Sequence, residues 1–269
     1  MLVYKYTSAS AGKLIIENTS LRFSQIEVLN DPFEINPSLN LFKKSLKDLI
    51  RKYFESRTDD FKKLSFIEKE SLIQKTAQPA IDTTIRNFKD YLILSLTKNE
   101  HNLLMWSHYA DSHHGMVIGF DYDNYFFHQD GTHEISRCYD VKYSNKRPAL
   151  FDYSKLQTGE VLIEDYRDYF LTKSNWWKYE EEIRIFASVR AATKVKKVVG
   201  GLDIYLFNFP RECLKQIIFG SLMNLDNKRE ISEIAKGLYP HIEILEAIPS
   251  ESEFTLKFKP YKVSIQNKR

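Results

Sequence analysis

Cysteine and glycine are scarce in this chain. Only two cysteines occur, Cys138 and Cys213, each alone in its segment, so neither a disulfide framework nor a Cys-rich zinc knuckle can be built. A reducing compartment fits. Nine glycines in 269 residues leave few flexible loops. None makes a phosphate loop: the nearest pattern, Gly200-Gly201, lacks the flanking residues, which sets Rossmann and P-loop chemistry aside. No apolar run approaches the roughly 20 residues of a membrane span. The start, MLVYKYTSASAGKL, also lacks the apolar core of a secretory signal. A cytoplasmic protein with no membrane partner is therefore expected. An excess of one charge is missing too, since 39 Lys and Arg face 36 Asp and Glu for a net charge of +3. Such a balance permits an anionic partner without demanding one. No repeat or low-complexity tract is visible.

Aromatic residues are abundant. Eighteen Phe, 16 Tyr and 3 Trp make up 14% of the chain, enough to furnish stacking surfaces. With 43% hydrophobic and 28% charged residues, the composition is that of a folded protein with a sizeable core.

The chain opens with an alternating strand, Leu2–Tyr6, then turn residues before a small helix over Lys13–Asn18 and a second strand over Leu21–Ser24. Asn30-Asp31-Pro32-Phe33-Glu34 reads as a loop. From Leu41 to about Tyr91, apolar residues such as Phe42, Leu46, Leu49, Ile50, Tyr53 and Phe54 recur at helical spacing. Further helices are expected over Asp60–Ala77 and Ala80–Lys89, broken at Pro79, so that about 41–90 forms a helical insertion. Strands then follow at Tyr91–Thr97, Gly115–Phe120, Tyr139–Tyr143, Ile183–Val189, Leu202–Phe207, Gln216–Phe219, Ile242–Ala247 and Phe254–Phe258. Helices are expected over Asn102–Ser112, Asp152–Leu171 and Leu225–Leu238. The uneven spacing predicts a single α+β domain over 1–269 with a mixed or antiparallel sheet rather than a doubly wound one.

The segment Asn175-Trp-Trp-Lys-Tyr-Glu-Glu-Glu-Ile-Arg-Ile-Phe186 carries three consecutive carboxylates into a strand. If Ile183 and Ile185 bury one face, alternation puts Glu182 and Arg184 on the other, joined by Glu180 if the strand already begins there. That is a carboxylate pair with an arginine in line. An exposed edge strand kept from aggregating by its charges explains the pattern equally well.

Glu-X-Glu followed by alternating aliphatics resembles the glutamate motif of ADP-ribosyltransferases. The resemblance implies a split sheet, NAD as substrate, and Glu182 as the carboxylate that touches the ribose 2′-hydroxyl while nicotinamide leaves. The chemistry wants an anion there because breaking the glycosidic bond builds positive charge on the ribose. Glu180 would orient or deprotonate the acceptor nucleophile. On the first strand Lys5 stands where that family usually keeps His or Arg, beside Tyr6. A lysine there can meet a phosphate as a point charge. The segment Leu104-Met-Trp-Ser-His-Tyr-Ala-Asp111 is similar to the helix on which the poly(ADP-ribose) polymerase branch holds nicotinamide. By that resemblance Trp106, Ser107 and Tyr109, together with Arg184, would bind the cofactor-like substrate. The competing reading makes Trp106 and Tyr109 core anchors.

Asn30–Glu34, Met105–Asp111 and Trp177–Arg184, in this order, also resemble a widespread bacterial family catalogued only as a domain of unknown function, over Leu2 to about Phe219. Asp31 and Glu34 would either cap backbone amides or wall the same cleft. The acceptor implied is a nucleic-acid base or a protein side chain. Such activities in bacteria commonly serve as toxins or in defence against phage, which adds an antitoxin to the implied partners. Two other classes stay open: a nuclease holding Mg²⁺ on Asp31, Glu34, Glu180 and Glu182 with Lys178 assisting, and a non-catalytic sensor that binds a nucleotide or peptide. Six of seven histidines, His101, His108, His113, His114, His128 and His133, crowd one stretch, yet their spacing does not suit zinc, and no metal is expected.

Overall fold

The computed structural model describes residues 1–35, 39–129, 137–147 and 169–262. It is an α+β chain whose contacts fall into two units, each made of separated stretches: 1–24, 93–141 and 176–269 form the first, 25–92 and 142–175 the second. The helices expected as an insertion over 41–90 thus belong to a unit that also takes in a later stretch.

The first unit begins with strand β1 (Leu2–Thr7), helix α1 (Ala9–Asn18) and strand β2 (Ser20–Gln25). Helix α1 starts earlier than its apolar spacing indicates, because the Ser8 hydroxyl accepts from the Ala11 amide and caps it. Strand β3 (Tyr91–Thr97) and helix α6 (Leu103–Tyr109) follow, then strand β4 (Met116–Asp121) and the short strand β5 (Tyr139–Asp140). After them come β8 (Glu182–Ser188), β9 (Lys194–Lys196), β10 (Ile204–Asn208) and β11 (Leu214–Phe219). Helix α7 (Leu225–Leu238), β12 (Glu243–Pro249) and β13 (Leu256–Pro260) complete the unit. The sheet runs β13-β12-β11-β4-β1-β3-β2-β10-β9, with β8 branching from β3 and β5 pairing with β8. The β11–β12 pair, joined through α7, is parallel, whereas β1–β4, β4–β11, β2–β10 and β5–β8 are antiparallel. The mixed sheet expected from the sequence is therefore present. Between β1 and β3 the register holds a single pair, Tyr4 with Thr97.

A tight crossing sits beside α6. Asp111, Ser112 and His113 all have left-handed backbone, with φ of 49°, 49° and 69°. Two glycines press on this region. A Cβ on Gly220 would lie 2.1 Å from the His113 carbonyl oxygen, and one on Gly115 would lie 2.2 Å from that of Thr7.

The second unit holds helices α2 (Pro32–Ile35), α3 (Leu39–Arg57), α4 (Asp59–Lys63) and α5 (Phe66–Lys89), with a parallel strand pair, β6 (Lys142–Ser144) and β7 (Thr172–Ser174). Three sequence expectations are corrected here. Pro32 does not make a loop of the Asn30–Glu34 stretch but opens α2, since a proline is well suited to the first helical position behind an Asp cap. The break expected at Pro79 is absent: α5 runs through it, started by a reciprocal Ser65–Glu68 capping box and carried on Ile73, Ala77 and Ile81, all buried. At the C-terminal end the last strand begins at Leu256, leaving Phe254 fully exposed rather than on an apolar face. The helix expected over Asp152–Leu171 lies outside the described residues but for its last three.

Candidate functional site

Strand β8 is not an exposed edge. Every residue from Glu182 to Ala187 is buried, and the strand pairs with β3 and β5. Its period of two sets Ile183, Ile185 and Ala187 against one side and Glu182 and Arg184 on the other. There the Arg184 guanidinium grips the Glu182 carboxylate in a fork, Nε to Oε1 at 2.7 Å and Nη2 to Oε2 at 2.9 Å. Arg184 is 1% exposed and Glu182 6%, so the pair is a desolvated ion pair, the geometry in which arginine outperforms lysine.

Lys5, on β1, reaches the same place. Its ammonium donates to the Ser95 carbonyl on β3 at 3.0 Å. Burial pulls its pKa down to about 8, the Glu182 carboxylate holds it up, and Arg22 pushes it further down. Lys5 and Arg184 are thus two cations set against the Glu182 carboxylate. The sign of the Lys5 effect follows from linkage. In the unfolded chain the ammonium loses its proton near 10.5, so between about pH 8 and 10.5 the unfolded chain holds a proton that the folded one has released, and stability rises with pH across that window. Below pH 8 both forms are charged and the desolvation cost is present in full. Lys5→Met is expected to raise the melting midpoint at pH 7 and to lose that advantage above about pH 8, which thermal scans at pH 7 and pH 10 measure.

The strand does not begin at Glu180, contrary to the expectation that would place three alternating side chains on one face. Residues Asn175–Glu180 form a 3-10 turn, and Glu181 has left-handed backbone with φ of 44°. This reversal gives each of the three consecutive carboxylates a different partner. Glu180, 2% exposed, accepts from the Tyr109 hydroxyl at 2.5 Å, and Glu181, exposed, accepts from Asn99 Nδ2 at 2.9 Å. The repulsion that three acidic neighbours would suffer in one strand is avoided.

Tyr109 is carried to Glu180 by α6. Asn102 caps that helix, accepting from the Leu104 and Met105 amides, while its own side-chain amide donates to the Tyr179 carbonyl at 2.9 Å. One residue thus starts the helix and ties it to the turn before β8, a role that sequence reading missed, although Asn ahead of an apolar run is its signal. Tyr109→Phe removes the donor from a buried carboxylate, and a loss of about 1–2 kcal/mol in unfolding free energy is expected by chemical denaturation.

Among the other residues singled out, Trp106 is wholly buried, with its indole N–H donating to the Glu100 carbonyl. Tyr6, 6% exposed, meets Trp106 edge-on at 5.4 Å and donates to the Asn99 carbonyl. Both stand in one core cluster with Tyr4, Met105 and Ile218, against which Tyr109 packs. The Ser107 hydroxyl donates to the Leu103 carbonyl and lies 3.3 Å from His113 Nε2. Among the described residues no three His, Cys, Asp or Glu side chains are gathered as a metal would require; His133 lies outside them.

Asp31 and Glu34 sit in the second unit, where they line a cavity of about 160 Å³ with Phe33, Arg147, Tyr169 and Lys173. Asp31 Oδ1 caps α2 by accepting from the Phe33 amide at 2.8 Å. Lys173, buried, places its ammonium 3.8 Å from Glu34. Arg147 donates to the Phe33 carbonyl at 2.9 Å and lies over the Phe33 ring. No local pattern marks Lys173 or Arg147, which come from a stretch more than a hundred residues away.

Residues 105–185 match the profile of a family described as Protein of unknown function (DUF2971). The matched stretch spans α6, β4, β5 and the first half of β8, and leaves Asn30–Glu34 outside. No curated protein and no solved structure matches the chain.

Proposed function

We propose that this chain transfers ADP-ribose from NAD to an acceptor, with Glu182 as the carboxylate that steadies the ribose while nicotinamide departs. One juxtaposition supports the reading: a buried carboxylate on β8 and a desolvated lysine on β1, brought together where β1 and β3 share only one residue pair. The cations Lys5 and Arg184 beside Glu182 suit the negative charges of a pyrophosphate.

In this reading the bond between ribose C1′ and the nicotinamide nitrogen breaks, its electron pair leaves with nicotinamide, and the positive charge left on the ribose falls beside Glu182. Arg184 holds both Glu182 oxygens, so substrate entry exchanges one of those bonds for the ribose 2′-hydroxyl. Arg184 stays as the group that fixes the carboxylate's direction. Glu180, buried and bonded to Tyr109, takes the proton of the acceptor nucleophile as it closes on C1′.

The experiment is release of nicotinamide from NAD by the full chain, with and without chelator. Turnover that ignores chelator and disappears in Glu182→Gln bears the reading out. Binding of NAD with no release by the native chain overturns it in favour of a sensor, and turnover of nucleic acid that chelator stops overturns it in favour of a nuclease.

A further inference from the structure

We infer that the solvent-facing side of β2, β10 and β9 binds the phosphate backbone of a nucleic-acid duplex without reading its bases. Every residue it uses lies in the first unit. The binding does not rest on the NAD reading; where that reading holds, the acceptor is a nucleic acid.

Strand register brings the cations of this face together. Residues paired across strands share a face, so Lys194, Leu206 and Arg22, aligned across β9, β10 and β2, make one row, and Lys196 with Ile204 makes the next on the same side. Arg22, Lys194 and Lys196 are all exposed, while Leu206 and Ile204 are half-buried between them. None of the three strands contains an acidic residue, and none of the three cationic side chains has an ion-pair partner among the described residues. The opposite edge of the sheet shows the contrast: there Lys259 on β13 stands across from Glu246 on β12. Lysines on an edge strand also keep it from pairing with other chains, but that accounts for β9 alone. Arg22 stands two strands inward, on a strand flanked on both sides, where no edge needs guarding.

Spacing and surroundings select the partner. Strand geometry puts Lys194 and Lys196 roughly 7 Å apart and Arg22 roughly 10 Å from Lys194 at their backbones, so a ligand with repeated charges meets all three where one small anion does not. The aromatic residues of these strands, Phe23, Tyr205 and Phe207, alternate onto the opposite face, and Phe23 and Phe207 are buried there with ring centres 4.2 Å apart. These strands leave no ring on the cationic face for a base to stack on, which favours the dense charge of a duplex over a single strand. Nor does the face offer a side chain for a membrane to take in, since the fully exposed apolar residue of this hairpin, Val199, lies in the turn beyond β9. Arg22 is near enough to Lys5 to act on its charge, so the array runs to the lysine beside Glu182.

Fluorescence anisotropy of a labelled DNA duplex of mixed sequence with the full chain, without NAD, tests this. Neutralising three phosphates predicts a slope near about −2.7 in log affinity against log salt, so affinity falls about 40-fold between about 50 and about 200 mM salt. Arg22→Gln combined with Lys194→Gln and Lys196→Gln is expected to lose roughly 10-fold or more in affinity at the lower salt, and most of the slope, with an unchanged melting midpoint. Arg22→Gln alone is expected to make the slope shallower by about 1. Lys257→Gln with Lys259→Gln, on exposed positions of β13, is the charge control and is expected to bind as the native chain does. An equal loss in that control overturns the inference, as does the absence of salt-dependent duplex binding by the native chain. Tighter binding of a single strand of the same length overturns the duplex form of it. Binding to phosphatidylserine vesicles that Val199→Asp abolishes, with none to the duplex, overturns it in favour of a membrane. Duplex binding without nicotinamide release supports this inference and overturns only the NAD reading. Should the triple variant fail to fold, the native salt slope and Arg22→Gln decide the matter.

Discussion

On the proposed reading, Glu182→Gln is expected to lower nicotinamide release from NAD by about 100- to 1,000-fold, the range found when one preorganised electrostatic group is taken from a transition state. Glutamine keeps the size and one acceptor oxygen, so the change isolates the charge. It has a side effect that must be separated from catalysis: Arg184, 1% exposed, is left facing a neutral amide, and weakening a desolvated ion pair destabilises the fold. The remedy is to remove both charges. Glu182→Leu combined with Arg184→Met replaces a desolvated pair with apolar side chains of similar bulk, an exchange that is often neutral or stabilising. Recovery of the melting midpoint in the double variant without recovery of turnover assigns the lost activity to the carboxylate. Turnover in a folded double variant would show that Glu182 is there only to hold Arg184.

Arg184→Met alone costs about 3–5 kcal/mol of stability, because it takes from the buried Glu182 carboxylate the fork that holds both its oxygens. For a chain of this size the midpoint falls by roughly 2–4 °C per kcal/mol, a drop that differential scanning calorimetry resolves easily. The deficit is smaller at pH 5 than at pH 8. A buried carboxyl that loses its guanidinium is pushed up by desolvation, so the folded variant takes up a proton as pH falls and the penalty shrinks. An equal deficit at both pH values would mean that water reaches Glu182 once the arginine is gone.

The elements with strong local signals were legible in the sequence. The strand Tyr91–Thr97 and the helix Leu225–Leu238 have the bounds their patterns indicate, one from an unbroken apolar run and the other from helical spacing behind an Asn cap. The Glu182–Arg184 pairing was legible from the period of a strand. Glu180 was misread because alternation assumes extended backbone, and the left-handed Glu181 breaks it; glutamate carries no mark of that conformation as glycine would. Pro79 was misread for the opposite reason, a strong local signal overridden by the buried face of α5. The partners of Asp31 and Glu34 were not legible at all, since Lys173 and Tyr169 meet them through tertiary contacts and no pattern within either segment points to the other.

Two of the nine glycines bear directly on this site. Gly115 and Gly220 meet back to back, the amide of one bonded to the carbonyl of the other at 2.9 Å, and the Leu222 amide fastens the same spot to the His113 carbonyl. Nothing larger than a hydrogen fits in the seam. The helix bearing Ser107 and Tyr109 is therefore seated by the emptiness beneath its exit turn. A methyl group in that seam, remote from both Glu180 and Glu182, would lift the turn, and with it the phenol that Glu180 depends on.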